Sequence, residues 1–154
     1  STSTTRGSLR RGYPVGSLFC FCFMLPEGFE PSLVSLQYAE GSSIFGCNEH
    51  AIYSTERQEV APGIFSSAID HNLTSRPVDI FGNLSDTARL VGIWGHVARE
   101  GRYRLHSWTV KVDPGTVFIP DRLRHALKAH RESKNGMYVG TCTSGVRAPF
   151  EVLS

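Results

Sequence analysis

The sequence predicts an α/β fold, a single domain built on a mainly parallel sheet flanked by helices. Three observations carry this expectation. Segments with strand character alternate along the chain with segments of helical periodicity, the order that strand–helix–strand crossovers produce. Leu18 to Leu25 is apolar at every position, as in a strand covered on both faces, whereas a half-exposed strand would alternate. With 154 residues, 40 % of them hydrophobic, the chain is long enough for one core and too short for two ordinary domains.

Residues 1–16 differ from the rest. Arg6, Arg10 and Arg11 stand among Ser, Thr and Gly with no acid, a composition too poor in apolar groups to fold alone. We expect a flexible or partner-bound basic arm, with these three arginines as candidate partner contacts. An organellar targeting remnant is the alternative, and the stretch has no long apolar core of the secretory kind.

After the first strand, Pro31 to Glu40 fits a short helix with Pro31 at its first position and Leu33, Val34, Leu36 and Tyr38 available for burial; Gly41 closes it. Residues 44–53 give one or two strands. Residues 55–86 read as irregular, broken by Pro62-Gly63, Pro77 and Gly82, with a short strand at Ala68-Ile69. Thr87 to Glu100 is expected to be helical, with Asp86 as N-cap, Leu90, Val91, Trp94, Val97 and Ala98 on one face, and Gly101 as the stop. A strand follows at Trp108 to Val112. Asp113-Pro114-Gly115-Thr116 then suits a type II turn, with Pro setting φ and Gly supplying a positive one. Pro120 to about His130 reads as a helix, and Met137 to Cys142 as a strand after the Asn135-Gly136 turn. No internal repeat is seen.

Composition excludes little. The net charge of +2 gives no reason to expect a nucleic-acid partner, and no segment approaches the ~20 apolar residues that span a bilayer. Cys20 and Cys22, two apart on one strand, are expected to be buried thiols. No cysteine or histidine spacing suggests zinc. His125 and His130 are five apart on a helix and so point to different sides, which makes them surface residues. His106 precedes the Trp108 strand, His96 lies opposite the Leu90/Trp94 face, and no partner acid is in view for either. Arg122, Arg124, Lys128 and Arg131 read as the solvated side of a helix, with a diphosphate or an acidic partner as the alternative. Sequons at Asn72 and Asn83 matter only in a secretory protein. Phe19, Phe21, Phe23, Trp94 and Trp108 are expected in the core.

The segment from Trp108 to Arg124, WTVKVDPGTVFIPDRLR, resembles a glycosyltransferase-like family found in many copies in dinoflagellate algae, where it runs WTVKVDPDxVFxPxRLR. The first strand with its following loop, the segment from Ser43 to Ser54 (family pattern IFxCDxxAVYS), the Trp94 helix and the end from Phe150 to Ser154 match as well. The resemblance covers roughly residues 17–154. It implies a GT-A- or Rossmann-like domain, truncated at Ser154 before the part that shapes the acceptor side.

In that family an Asp-x-Asp pair holds Mn²⁺ or Mg²⁺ against the diphosphate of a nucleotide sugar. Here Asp113 remains as the candidate metal and cofactor ligand, helped by water, Asp70 or Asp121 if the site is active, and Gly115 stands in place of the second acid. Asn48 and Ser107 also replace acids common in the family. Cys47 and Cys142 match family cysteines, and a disulfide between them is one option. These departures favour a non-catalytic glycosyltransferase-like domain with no cofactor, serving as a structural or auxiliary subunit of a larger assembly. The alternative is a metal-dependent glycosyltransferase using a nucleotide sugar. The family's abundance in photosynthetic algae implies a plastid complex, such as a photosystem with its antenna, with this chain peripheral to the membrane; the secretory pathway is the other compartment considered.

Overall fold

The computed structural model describes residues 12–69, 86–130, 135–140 and 150–154. Arg6, Arg10 and Arg11, the two sequons, Asp70, Arg131 and Cys142 lie outside the described residues. The elements in chain order are β1 (Leu18–Phe23), α1 (Glu30–Ala39), a 3₁₀ turn (Ser43–Gly46), β2 (Glu49–Ser54), β3 (Glu59–Ala61), β4 (Ile64–Phe65), β5 (Ser67–Ala68), α2 (Asp86–Glu100), a second 3₁₀ turn (Arg102–Leu105), β6 (Trp108–Val112), α3 (Pro120–Leu127), β7 (Tyr138–Gly140) and β8 (Phe150–Leu153).

Six strands form one sheet in the order β5-β2-β1-β6-β8-β7, and β3 and β4 form a small separate hairpin. β1 pairs in parallel with β2 and β6, and β2 with β5, while β8 runs antiparallel between β6 and β7. The expected mixed α/β architecture with a mostly parallel sheet is therefore present.

β1 sits at the centre because both of its faces are apolar. Leu18, Cys20 and Cys22 point to one side, where Val34 of α1, Ile44 of the first 3₁₀ turn, Phe118 and Leu127 of α3 cover them. Phe19 and Phe21 point to the other, against Ile93 and Val97 of α2 and Tyr53 of β2. All six residues from Leu18 to Phe23 except the last are fully or almost fully buried. Each large side chain so buried is worth about 1.5–3 kcal/mol.

Several expectations are corrected. In α1 only Val34 is buried, and Leu36 is 57 % exposed. Two residues turn a helix by about 200°, so these two side chains cannot share a face. In α2 the buried stripe is Ile93 and Val97, flanked by Leu90 and Trp94; Val91 and Ala98 face outward. The spacing of Leu90, Ile93 and Val97 is the i, i+3, i+7 pattern of a single apolar face.

Residues 43–46 form a 3₁₀ turn in place of a strand, with Ser43 at φ 54°. Within the stretch read as irregular, Pro62-Gly63 closes the β3–β4 hairpin, with Gly63 at φ 75°, and the short strand is Ser67–Ala68, one residue earlier than expected. α3 stops at Leu127, and β8 adds a strand that was not foreseen.

The disulfide joins Cys20 to Cys47, with Cα atoms 6.1 Å apart, so Cys20 is not a free thiol and Cys47 does not pair with Cys142. The parallel β1–β2 register explains it: Cys47 lies just ahead of Glu49, which pairs with Phe19 beside Cys20. Cys22 is the free buried thiol expected. Among the described residues, no helix is long and apolar enough to cross a membrane.

Candidate ligand site

From β1 the chain crosses through α1 to β2 on one side, then returns through α2 to β6 on the other. The C-terminal ends of β1 and β6 therefore diverge into different connections, which makes the gap beyond them a topological switch point and the expected ligand crevice of an open α/β sheet. A crevice of about 300 Å³ lies there, with Leu25, Phe29 and Glu30 after β1, Arg89 and Leu90 on α2, and Lys111, Asp113 and Gly115 at the end of β6.

Asp113, the candidate metal ligand, thus sits in the crevice. Its Oδ1 accepts a bond from Lys111 Nζ at 2.5 Å. The lysine side chain is 9 % exposed and the carboxylate 46 %, so the buried cation is neutralised by the more open acid. Lys111 lies on β6 and Asp113 one residue past its end, so the bond closes locally at the mouth of the crevice. Glu30 Oε2 accepts the Leu25 amide proton at 2.7 Å and ties the loop after β1 to the start of α1. Beneath them, burial first and the charge of Glu30 second push the Cys22 thiol up to about 12, which leaves it protonated at neutral pH.

The Asp113-Pro114-Gly115-Thr116 turn is closed by Thr116 N–H donating to Asp113 O at 2.9 Å. Gln37 Nε2 of α1 donates to Pro114 O at 2.8 Å and pins the turn. Gly115 is not among the glycines with positive φ, so the turn is not type II. A Cβ placed on Gly115 meets nothing within 4 Å. A side chain is therefore tolerated at this position both by the backbone and by the space around it.

The other two departures lie elsewhere. Asn48 precedes β2 and Ser107 precedes β6, at the opposite end of the parallel strands, about 20 Å from the crevice by strand rise. Asn48 Oδ1 accepts from the Leu18 amide at 3.0 Å and from Arg124 Nη2 at 3.2 Å. Ser107 Oγ accepts from the Gly16 amide at 2.9 Å. Both residues fasten the N-terminal end of the sheet and neither bears on Asp113. Asp121 is also remote from the crevice lining and pairs with Arg124 at 2.8 Å. Among the described residues, no three His, Cys, Asp or Glu side chains converge as a metal group would require.

His106, which had no evident partner in the sequence, has one in the structure. Its Nε2 lies 2.6 Å from Glu49 Oε2, and Arg102 Nε donates to Glu49 Oε1 at 2.7 Å. Tyr13 lies on the imidazole with centroids 3.9 Å apart. Burial pushes the Glu49 carboxyl up, but the bonds from His106 and Arg102 outweigh it and hold the group below its ordinary value. Burial, reinforced by Arg102, lowers His50. Tyr53 donates its hydroxyl to Glu100 and is pushed up by burial and by that bond. This network clamps the C-terminal end of α2 to β2.

His125 and His130 are exposed as expected, and His96 rests edge-on against Tyr53. Arg124 reaches Asp121, Gly46 O and Asn48, whereas Arg122 and Lys128 are exposed. The residues that sequence reasoning passed over are Lys111, Arg89 and Phe29. Lys111 had a signal: the one charged residue in a buried strand, two positions before an acid. Comparison of the chain with protein-family models, curated proteins and solved structures gives no match.

Proposed function

We propose that the chain is a non-catalytic, glycosyltransferase-like α/β domain that serves as a structural or auxiliary subunit of a larger assembly. The observation that carries this reading is the Lys111–Asp113 pair. The one candidate metal acid already has a cation at 2.5 Å, and a divalent ion would have to displace a lysine that has almost no water to retreat into. Such an ion needs several oxygen ligands, and a single carboxylate leaves it mostly hydrated.

Calorimetric titration of the chain with uridine-diphosphate sugars, with and without Mn²⁺, tests this. The expected result is no metal-dependent heat. Metal-dependent binding tighter than about 100 μM, equivalent to roughly −5.5 kcal/mol, would overturn it. As for the assembly, replacing Arg6, Arg10 and Arg11 by alanine should weaken copurification with a complex while the domain stays folded; unchanged copurification would remove the arm as the docking element. A plastid membrane complex remains the assembly proposed. The Cys20–Cys47 disulfide supports an oxidising compartment, which strengthens the secretory alternative relative to a reducing stroma.

The second reading, a metal-dependent glycosyltransferase, is favoured by one feature. The open space at Gly115 leaves room for the missing acid at the switch-point crevice. Under that reading Gly115→Asp gains Mn²⁺-dependent nucleotide-sugar binding, and absence of any gain in a folded variant counts against it.

A further inference from the structure

α2 covers only part of its side of the sheet. Thr109 and Lys111 of β6 pair across the strands with Phe19 and Phe21 of β1, and with Leu153 and Glu151 of β8, so all of these leave the same face. Ile93 and Val97 close that face over β1 and β2. Over β6, β8 and β7 there is instead a groove of about 760 Å³, walled by Leu90, Val91, Trp94 and Ala98 of α2 and by Leu153 and Tyr138 of the sheet. Its volume lies in the range of small-molecule sites, roughly 300–1,000 Å³. Val91 is 67 % exposed and Tyr138 59 % exposed at its lips. Among the described residues Glu151 is the acid that lines it, and the Trp94 Nε1–H already donates to that carboxylate at 3.0 Å.

Leu90 lines both the groove and the crevice at the end of β6, so the apolar cavity and the charged one adjoin at this side chain. The charges there are two cations, Arg89 and Lys111, and two acids, Glu30 and Asp113. Lys111 and Asp113 satisfy one another. Glu30 holds only the Leu25 amide, and Arg89 has no ion-pair partner among the described residues. Phe29, on the crevice wall, is 71 % exposed. A cation and a carboxylate that have no ion-pair partner among the described residues, beside an exposed aromatic ring, complement a head group that carries both signs, with its phosphate on the guanidinium and its ammonium between the acid and the ring.

We propose that the groove and crevice together bind a single-chain amphiphile with a zwitterionic phosphate–ammonium head, its chain lying between α2 and β8 and its head at Arg89, Glu30 and Phe29. The inference is independent of whether the domain ever handled nucleotide sugars.

The test uses the full chain and a lysophosphatidylcholine with a 14-carbon chain, held below its micelle-forming concentration, with the free 14-carbon fatty acid and a neutral alkyl maltoside as comparisons. Trp94 lies in the groove while Trp108 is buried on the opposite face, so a saturable fluorescence change is expected that Trp94→Phe removes, with calorimetry confirming the binding independently of the signal. Ala98→Phe, which fills the groove from an exposed helix position, should weaken binding at least ten-fold with an unchanged melting temperature. Arg89→Gln should weaken the zwitterionic lipid and leave the maltoside unaffected. No saturable binding in calorimetry, binding undiminished by Ala98→Phe, or equal affinity for the fatty acid or the maltoside would each overturn the proposal. So would a ligand-free dimer, seen by sedimentation, that Ala98→Phe dissociates, because a second copy would then be the occupant.

Discussion

The two ends of the parallel strands make opposite use of polar groups. At the N-terminal end, Glu49, His106, Arg102, Asn48 and Ser107 are bonded to one another or to backbone, and the Cys20–Cys47 bridge lies close by. At the C-terminal end, Lys111 and Asp113 bond to each other at the edge of an open crevice, where Arg89 has no ion-pair partner among the described residues and Phe29 is exposed. Polar groups at the first end hold strands and helices in register, whereas those at the second end fasten turns, Glu30 the loop after β1 and Gln37 the turn after β6, and leave the crevice between them open. The difference should separate residues whose loss lowers stability from residues whose loss would alter the proposed ligand binding.

That contrast can be broken by measurement. The largest effect is expected from the bridge: replacing Cys20 and Cys47 together by alanine frees a segment whose ends are 27 positions apart, and should cost roughly 3–4 kcal/mol in chemical denaturation. Next comes Glu49→Ala, which strands the buried His106 and the partly buried Arg102 together and should cost about 3 kcal/mol. A loss below about 1 kcal/mol would show that the N-terminal end is not the clamp described.

The pH dependence sharpens the same contrast. Both Glu49 and His50 have folded values below their unfolded ones, 4.5 and 6.5. In each case the unfolded chain binds the proton more readily, so the contribution to stability is complete above the unfolded value and is lost as the pH falls through the folded one. The melting temperature should therefore begin to drop below about pH 6.5 and fall further below about pH 4.5. Glu49→Gln should flatten the lower limb, and a lower limb that is unchanged in that variant would exclude the His106–Glu49–Arg102 network as its source. The smallest effect belongs to the open end: Asp113→Asn should cost about 1–2 kcal/mol, more than an exposed pair because the buried Lys111 loses its counter-ion, and less than Glu49→Ala because the carboxylate itself is half exposed.

What the sequence made legible follows from physics that is local. β1 could be read because every position from Leu18 to Leu25 is apolar, and α1, α2 and α3 because proline and glycine mark their ends. The clamp could not. Glu49 and His106 are 57 positions apart, and nothing in either neighbourhood signals the other. The bridge partner of Cys47 was hidden for the same reason, since only the β1–β2 register brings Cys20 to it. Asp113 was legible as a candidate, but its lysine was overlooked although it stands two residues away. The role of Asn48 and Ser107 was misjudged because sequence proximity to a motif says nothing about which end of a strand a residue occupies.

The covalent link between Cys20 and Cys47 also has a mechanical consequence. Residues 20–47 carry α1 and the first 3₁₀ turn, so this unit is a closed ring whose ends are separated by 27 positions. A chain pulled from its two termini would transmit tension across the bridge and bypass the ring. Its fully stretched length should fall short by roughly 90 Å of that of the reduced chain, at about 3.3–3.6 Å per residue, and α1 would stay slack until the bridge is cut.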